Sequence, residues 1–539
     1  MIQPQSLRFF LPMQNPFGFG VLDFIIFGVA LLLVAGLVWR RQIGTLAIRV
    51  AGRRGLSVAI CALMPIALRL LLLPGHPIPT PRVADDFSYL LAGDTLAHFR
   101  LANPAHPMHR FFEGVFVLQE PEYASNFPMG QGIVLAIGEW LGNPWFGVLL
   151  SAGAMCGLVC WMLQAWVSPV WALTGGLLAG IEFGPLSSWM NTYWGGAVSG
   201  IAGCLVFGAL PRLGVRRRYA VLLGAGLGLQ MLSRPYESVL LLIAAAIFPI
   251  SRRNMAIALL AMLPAAGLTL LQNRAVTGSW LELPYTLSRH QYGIPTAFRF
   301  QKAPVPHKAL TIEQQVDYET QVKTHDRPAR FGERIPFLRF FLLPPLWLAL
   351  PFCLRSLREP RFLRALAAIA ILWIGAEAYP YFYPHYIAAV ACLFVLIGVK
   401  ALESLGRFRV EAMQFVLLLC LAHFCFWYGI HLAGGQNVEL AASRYESWDE
   451  LNTGDPEGRI AINKRLAAAP GKQLVFVRYF PQHGAMEWIH NAADIDGAKV
   501  VWALDLGAEE DAKLRSYYPG RNVWLLEPDA HPPVLVPQP

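Results

Sequence analysis

Apolar runs, several of them near the roughly 20 residues that a bilayer-crossing helix needs, recur along most of this chain and are separated by short arginine-rich breaks. No soluble fold has an interior large enough to hide so many. Of 539 residues, 55% are apolar and only 15% charged, well below the roughly one quarter typical of soluble proteins. The chain reads as an α-helical polytopic membrane protein with about 12 transmembrane helices. The net charge of +9 does not point to nucleic acid, because the excess sits in short loops: Arg40, Arg41, Arg49, Arg53 and Arg54; Arg212 with Arg216 to Arg218; Arg252 and Arg253; Arg355, Arg358, Arg361 and Arg364. Such clusters mark the cytoplasmic side.

Threading the chain through these clusters fixes a topology. A first helix, Phe19 to Trp39, is read as retained, since no small-residue cleavage site follows it. It leads into the first basic loop, and Leu56 to Leu73 returns outward. Residues 74–144 then form a long outer loop, with Gly130 to Leu141 too short to span and laid along the membrane surface. Helices at Trp145 to Val167, Trp171 to Phe183 and Ala197 to Leu210 follow. Tyr219 to Leu232 and Tyr236 to Ile250 form a short pair, with Ser233, Arg234 and Pro235 at its apex near the outer interface; Pro235 disfavours helical geometry at Arg234. Met255 to Leu271 leads to a second outer segment, 273–335. Helices at Pro336 to Leu354, Arg364 to Ala378, Tyr386 to Ala401 and Ala412 to Ile430 complete the bundle. Residues 433–539 have the composition of a small extracytoplasmic α/β domain, with strands at Leu474 to Phe480, Val500 to Leu506 and Val523 to Glu527 between helices at Ile460 to Ala469 and Glu509 to Tyr517. The division is thus 1–54, 55–432 and 433–539.

All eight cysteines lie in apolar runs and give neither a disulfide framework nor a zinc motif. Ionisable residues inside apolar segments cost roughly 2.5 to 3.5 kcal/mol each and need a reason to be there; they are Asp23, Arg69, Glu139, Glu182, Arg234, Glu237 and Glu377. Arg69 and Arg234 fall near the outer face, close to the acidic pair Asp85 and Asp86. A carboxylate beside guanidinium groups suits transfer from a lipid phosphate donor: the acid takes a proton from an attacking hydroxyl, and arginine meets the charge on the leaving phosphate. The other reading is that Asp85 and Asp86 cap the helix that follows. Adjacent acids point different ways, so at most one is the base. His490, Asp494, Asp496 and Asp505 lack calcium-loop spacing and read as solvated turn residues. No metal ligand set is assigned.

The order of an outward helix, the acidic segment ADDFSYLLAGDT (84–95), YASNFPMGQG (123–132) before a surface helix, and the helix break LSRPYES (232–238) resembles the GT-C superfamily of integral membrane glycosyltransferases. It is similar in style to the bacterial members grouped with protein O-mannosyltransferases and aminoarabinose transferases. The resemblance covers roughly residues 55–432. It implies an inverting hexosyl- or pentosyltransferase of the cell envelope that uses a polyprenyl-phosphate sugar. The acceptor would be a glycan, lipid or protein, at the outer (periplasmic) face of a bacterial inner membrane, with the bilayer as partner and no nucleic acid.

The family's Asp-Glu motif maps onto Asp85-Asp86, which makes Asp85 the preferred base. Its basic residue at the later helix break maps onto Arg234, with Arg69 as a further donor-phosphate contact. Where the family often has a basic residue, this chain has Asn126, grouped with Tyr123 as acceptor-side contacts. YFYPHY (381–386) resembles the family's aromatic and histidine segment, offering His385 and Tyr386 to the donor; a lone histidine among tyrosines also serves as an interfacial anchor. LPYTLSRHQYGIP (283–295) offers Arg289, His290 and Tyr292 to the acceptor, or is a surface loop with interfacial aromatics. No further cofactor is required, and a divalent metal is left open. The alternative is a polytopic transporter, or a flippase or polymerase of a lipid-linked glycan; against transport, the two halves lack the matching broken helices of repeat-built carriers.

Overall fold

A computed structural model describes residues 21–328, 330–433, 458–481, 483–484 and 486–538. The start of the first expected helix, at Phe19, and the 434–457 stretch lie outside them. Among the described residues six helices are long and apolar enough to cross a membrane: Val21–Val38, Arg54–Leu71, Pro144–Leu163, Arg252–Thr277, Pro384–Phe408 and Val410–Ala433. With their apolar faces they make this a multi-pass membrane protein.

In chain order, α1 (Val21–Val38), α2 (Arg40–Gly52) and α3 (Arg54–Leu71) precede α4 (Ala84–Ala97). Three short strands, β1 (Asn103–Pro104), β2 (Val117–Leu118) and β3 (Glu122–Ser125), form a sheet in the order β1-β3-β2. Next come α5 (Met129–Trp140), α6 (Pro144–Leu163), α7 (Pro169–Glu182), the single turn α8 (Ser188–Asn191) and α9 (Ala197–Ala209). After α10 (Arg218–Ser233), α11 (Pro235–Ala246) and α12 (Arg252–Thr277), the second polar segment carries α13 (Pro284–Tyr292), α14 (Ile312–Asp326) and α15 (Phe331–Arg334). Helices α16 (Pro360–Ala376), α17 (Ala391–Phe408) and α18 (Val410–Ala433) close the bundle.

The centre of the bundle is the buried α6 packed on α3, α7 and α9, with α17 beside it. Burial grades outward: 72% of the α6 window is buried but only 6% of α1, so α1 presents its side chains outward as a lipid-facing helix does. Close approach relies on glycine. A Cβ at Gly203 in α9 would overlap the Ala389 carbonyl oxygen, and one at Gly147 in α6 would overlap that of Val134. Small residues at such crossings let helix backbones meet.

Two features differ from the expectation. The basic loop after the first helix is itself helical, as α2. The continuous helix over Pro336 to Leu354 is replaced by 3₁₀ turns at Ile335–Phe340, Pro344–Leu348 and Leu350–Arg358. Pro336, Pro344, Pro345 and Pro351 each lack an N–H and clash with the preceding turn, so the apolar run cannot be one α-helix. The remaining apolar helices, α7, α9, α10, α11 and α16, have 14, 13, 16, 12 and 17 residues. At 1.5 Å per residue each falls short of a hydrocarbon core of about 30 Å.

Beyond 458, α19 (Arg459–Ala468), β4 (Gln473–Val477), β5 (Val500–Leu504), α20 (Ala508–Tyr517), β6 (Asn522–Glu527) and β7 (Val534–Gln538) build a sheet in the order β5-β4-β6-β7. Strands β5, β4 and β6 are parallel, and β7 is antiparallel to β6. Sequence reading missed β7, whose Pro537 pairs with Trp524; proline is tolerated there because an edge strand has one row of N–H groups unpaired. The sheet shares a core with the first polar loop, where Leu91, Phe111, Phe112 and Tyr123 pack with Leu474, Phe476 and Val501.

Gly203→Ala should lower the stability of the detergent-solubilised protein by about 1–3 kcal/mol, the usual cost of overpacking. Gly267→Ala, whose Cβ would meet nothing within 4 Å, should leave the melting temperature unchanged or slightly higher. Equal melting of the two variants would mean that α9 is not pressed against the Ala389 backbone.

Candidate active site

The two acids at the start of α4 have different surroundings. Asp86 is buried, and its Oδ2 accepts from the Arg82 and Val83 amides at 3.1 and 3.5 Å, while Oδ1 accepts from the Tyr193 amide at 2.9 Å. It therefore caps α4 and ties it to the segment after α8. Burial raises its carboxyl to about 6, opposed by these three N–H groups. Asp85, partly buried, instead lines a cavity of about 390 Å³. Burial, then repulsion from Asp86 and Asp317, pushes its carboxyl up to about 7, against the pull of Arg234.

One turn along α4, Tyr89 lines the same cavity and stacks on Phe127 at 4.2 Å between ring centres. Residues four apart share a helix face, which is why Asp85 and Tyr89 appear together. On the other side α10 stops at Arg234, whose backbone leaves helical geometry at φ −149°, ψ 89°, before Pro235 starts α11. Arg234 pairs through Nη1 with Glu237 Oε1 at 3.2 Å, and its guanidinium lies 4.8 Å from the centre of the Tyr386 ring. His385 meets Trp194 edge to face at 4.8 Å and lies parallel to Tyr383 at 5.5 Å. Arg289, on α13, also reaches the cavity; it donates to the Pro295 and Thr296 carbonyls at 3.0 and 3.3 Å, and burial lowers its pKa.

The cavity thus gathers Asp85, Arg234, Arg289, His385 and Tyr386. Arg69 lies elsewhere: fully buried, it donates to Asn191 Oδ1 and to the His76 and Pro77 carbonyls, and it sits over Trp145. Tyr123 donates to the Asn491 carbonyl beneath the C-terminal sheet, and Asn126 donates to Ser288. His290 stacks on His307, and Tyr292 is buried against Leu118, Ala124 and Val276. None of these five lines the cavity.

Sequence reasoning missed one wall. Asp317, Thr320, Gln321 and Thr324 of α14 all line the cavity, at the i, i+3, i+4, i+7 spacing of one helix face. Gln321 donates to Asp317 at 2.5 Å and accepts from the Thr296 amide at 2.6 Å. Burial raises the Asp317 carboxyl to about 6. That spacing was the available signal. The start of α14 is fastened by Gln314, which donates to the Gly114 carbonyl, and by Glu313, which accepts from the Trp488 amide and faces His483 at 3.4 Å.

No protein-family model matches the chain, and no curated protein matches it. Among solved structures, the apo form of the Archaeoglobus fulgidus oligosaccharyltransferase has a TM-score of 0.44 at 12% identity, over 88% of this chain and 69% of that one. The oligosaccharyltransferase AglB of that organism, in complex with an inhibitory peptide and a dolichol-phosphate, has 0.42 at 13%, over 79% of this chain and 62% of that one. The form tethered to an acceptor peptide containing the NVT sequon has 0.41 at 14%, over 79% and 62%.

Stability should separate the two acids. Asp86→Ala strands three backbone donors and should cost about 1–3 kcal/mol. Asp85 has a folded-state pKa above its unfolded one, so its ionisation opposes folding increasingly as pH rises from about 4 to about 7. Asp85→Asn should therefore melt at or above wild type at pH 8, with the difference shrinking toward pH 4. Melting curves of both variants at the two pH values check this.

Proposed function

We propose that this chain is a membrane glycosyltransferase of the GT-C type, moving a sugar from a polyprenyl-phosphate donor to a hydroxyl of a glycan, lipid or protein acceptor at the outer face of the membrane. The observation that carries the reading is that Asp85 and Arg234, from distant segments, line one aromatic-walled cavity. The segments that supply it, the first polar loop, the turn after α8 that carries Trp194, the α10–α11 break, the second polar segment and the 379–386 apex, are ones the arginine pattern assigns to the side away from the basic loops.

In this reading Asp85 accepts the acceptor hydroxyl proton as the oxygen attacks the anomeric carbon. The bond from that carbon to the phosphate oxygen breaks with inversion, and the polyprenyl phosphate departs with the bonding pair. Arg234 and Arg289 face the departing charge. Glu237 engages Arg234 through Nη1. Guanidinium groups in a water-poor cavity are worth far more to a developing phosphate charge than in bulk water. Tyr89, Tyr285, Tyr379, Tyr381 and Trp194 supply flat faces for a sugar ring. A base with a pKa near 7 is matched to its task.

The test is transfer by purified protein in detergent, using a panel of radiolabelled polyprenyl-phosphate sugars and membrane extract as acceptor. Asp85→Asn should lower transfer about 10²- to 10⁴-fold, and Arg234→Ala about 10²- to 10³-fold. For wild type, kcat/KM should rise with pH through a single ionisation near 7. Transfer that survives both substitutions removes the assignment, and a protein that consumes no donor sends the question to transport in proteoliposomes.

A further inference from the structure

At the far end of α4, the helix that carries Asp85 in its first turn, a second group of side chains converges. Asp94 lies in the last turn of α4 and His98 caps its C-terminal end, Glu139 lies in the last turn of α5, and one donor atom from each falls within 4.8 Å of the other two. The two helix ends are held together independently: Trp140 Nε1 donates to the Ala97 carbonyl at 3.0 Å, and Phe99 stacks on Trp140 at 5.4 Å. The carboxylates are therefore kept close despite their like charge.

The occupied valences leave an opening. Asp94 Oδ2 accepts from the Ala493 amide of the C-terminal module at 2.7 Å, while His98 Nδ1 lies 2.9 Å from the Asp94 carbonyl oxygen and 3.0 Å from its Oδ1, which leaves His98 Nε2 for a cation. Among the described residues the Glu139 carboxylate accepts no hydrogen bond; burial and then repulsion from Asp94 raise its pKa. Arg100 is the nearby cation that acts on His98. Asp94 and Glu139 both line a second cavity, of about 320 Å³, with Phe87, His490 and Asn491. In that cavity His490 is stacked on Phe87 at 4.1 Å, and its Nδ1 lies 3.2 Å from the Trp488 carbonyl.

We propose that Asp94, His98 and Glu139 hold a zinc-class divalent cation that fastens α4 to α5 beneath the C-terminal module. One imidazole with two carboxylates is a mixed nitrogen and oxygen set that suits zinc better than magnesium or calcium. Tetrahedral ligands at about 2.1 Å lie roughly 3.4 Å apart, so side-chain rotations that move the donor atoms by about 1–1.5 Å close the set. This site is separate from the 390 Å³ cavity and does not depend on the reaction proposed there.

The test uses the full-length protein in detergent, stripped with EDTA, desalted and titrated calorimetrically with ZnCl2 or MgCl2, with melting curves in parallel. Wild type should bind one zinc per chain, with a rise in melting temperature that magnesium does not reproduce. His98→Ala and Glu139→Gln should each weaken zinc binding at least tenfold and abolish the thermal shift. His98 is 59% exposed and Glu139 has no hydrogen-bond partner to lose, so metal-free variants should melt with metal-free wild type. Absence of saturable zinc binding overturns the proposal. So does binding of equal strength in wild type and both variants, which would mean that the His98–Asp94 contact is only a helix-end pair.

Discussion

An arginine in an apolar helix pair has to be accommodated before anything else around it can be. Helices α10 and α11 are too short to cross a bilayer fully, and the extended backbone at Arg234 sits between them. A guanidinium at such depth requires partners. Glu237 supplies the countercharge and Tyr386 the ring face. To deliver Tyr386, the chain after α16 must turn back through an aromatic apex before entering α17. The shape of the cavity follows: Arg234 draws the apex in, and Tyr379, Tyr381 and Tyr386 then form a wall that a charge-free break would not have needed.

Opposite that wall, adjacent acids take different roles because helix geometry sends them different ways. Asp86 turns back into the N-terminal turn and across to Tyr193, which fixes the direction of α4. Asp85 is left facing the cavity with Tyr89 below it. The cavity-lining carboxylate and the helix-capping one are therefore neighbours in one helical turn, and the electrostatic cost of keeping Asp85 partly buried falls on the fold.

Much of this was legible in the sequence where a residue stood out from an apolar background. Arg234 did so by its charge and by the proline after it, and Asp85 by its place at the head of a polar loop. Arg69 stood out equally, yet its partner Asn191 is supplied by another helix connection, and no local pattern shows that pairing. Asp317 had the opposite difficulty: it is one acid among many in a polar segment, and only the common helix face with Thr320, Gln321 and Thr324 distinguishes it. In the Pro336 to Leu354 run hydropathy predicts a helix, but four prolines remove the backbone donors that an α-helix needs. In the C-terminal module, strands with continuous apolar runs were readable, while the proline-bearing edge strand was not.

The fastening of α14 to Gly114 and Trp488 has a consequence for how the protein is made. A ribosome releases the membrane helices first and the C-terminal strands last. Until Trp488 and the sheet around it have emerged, Glu313 lacks that amide, and α14 is held by its contacts to Gly114 and Thr296 without it. A chain interrupted after α18 would hold all six membrane-crossing helices of the described residues and both cavity arginines, yet α14 would lack its Trp488 contact. The α14 wall of the cavity thereby reaches its final anchorage only after the module that carries Trp488 has folded.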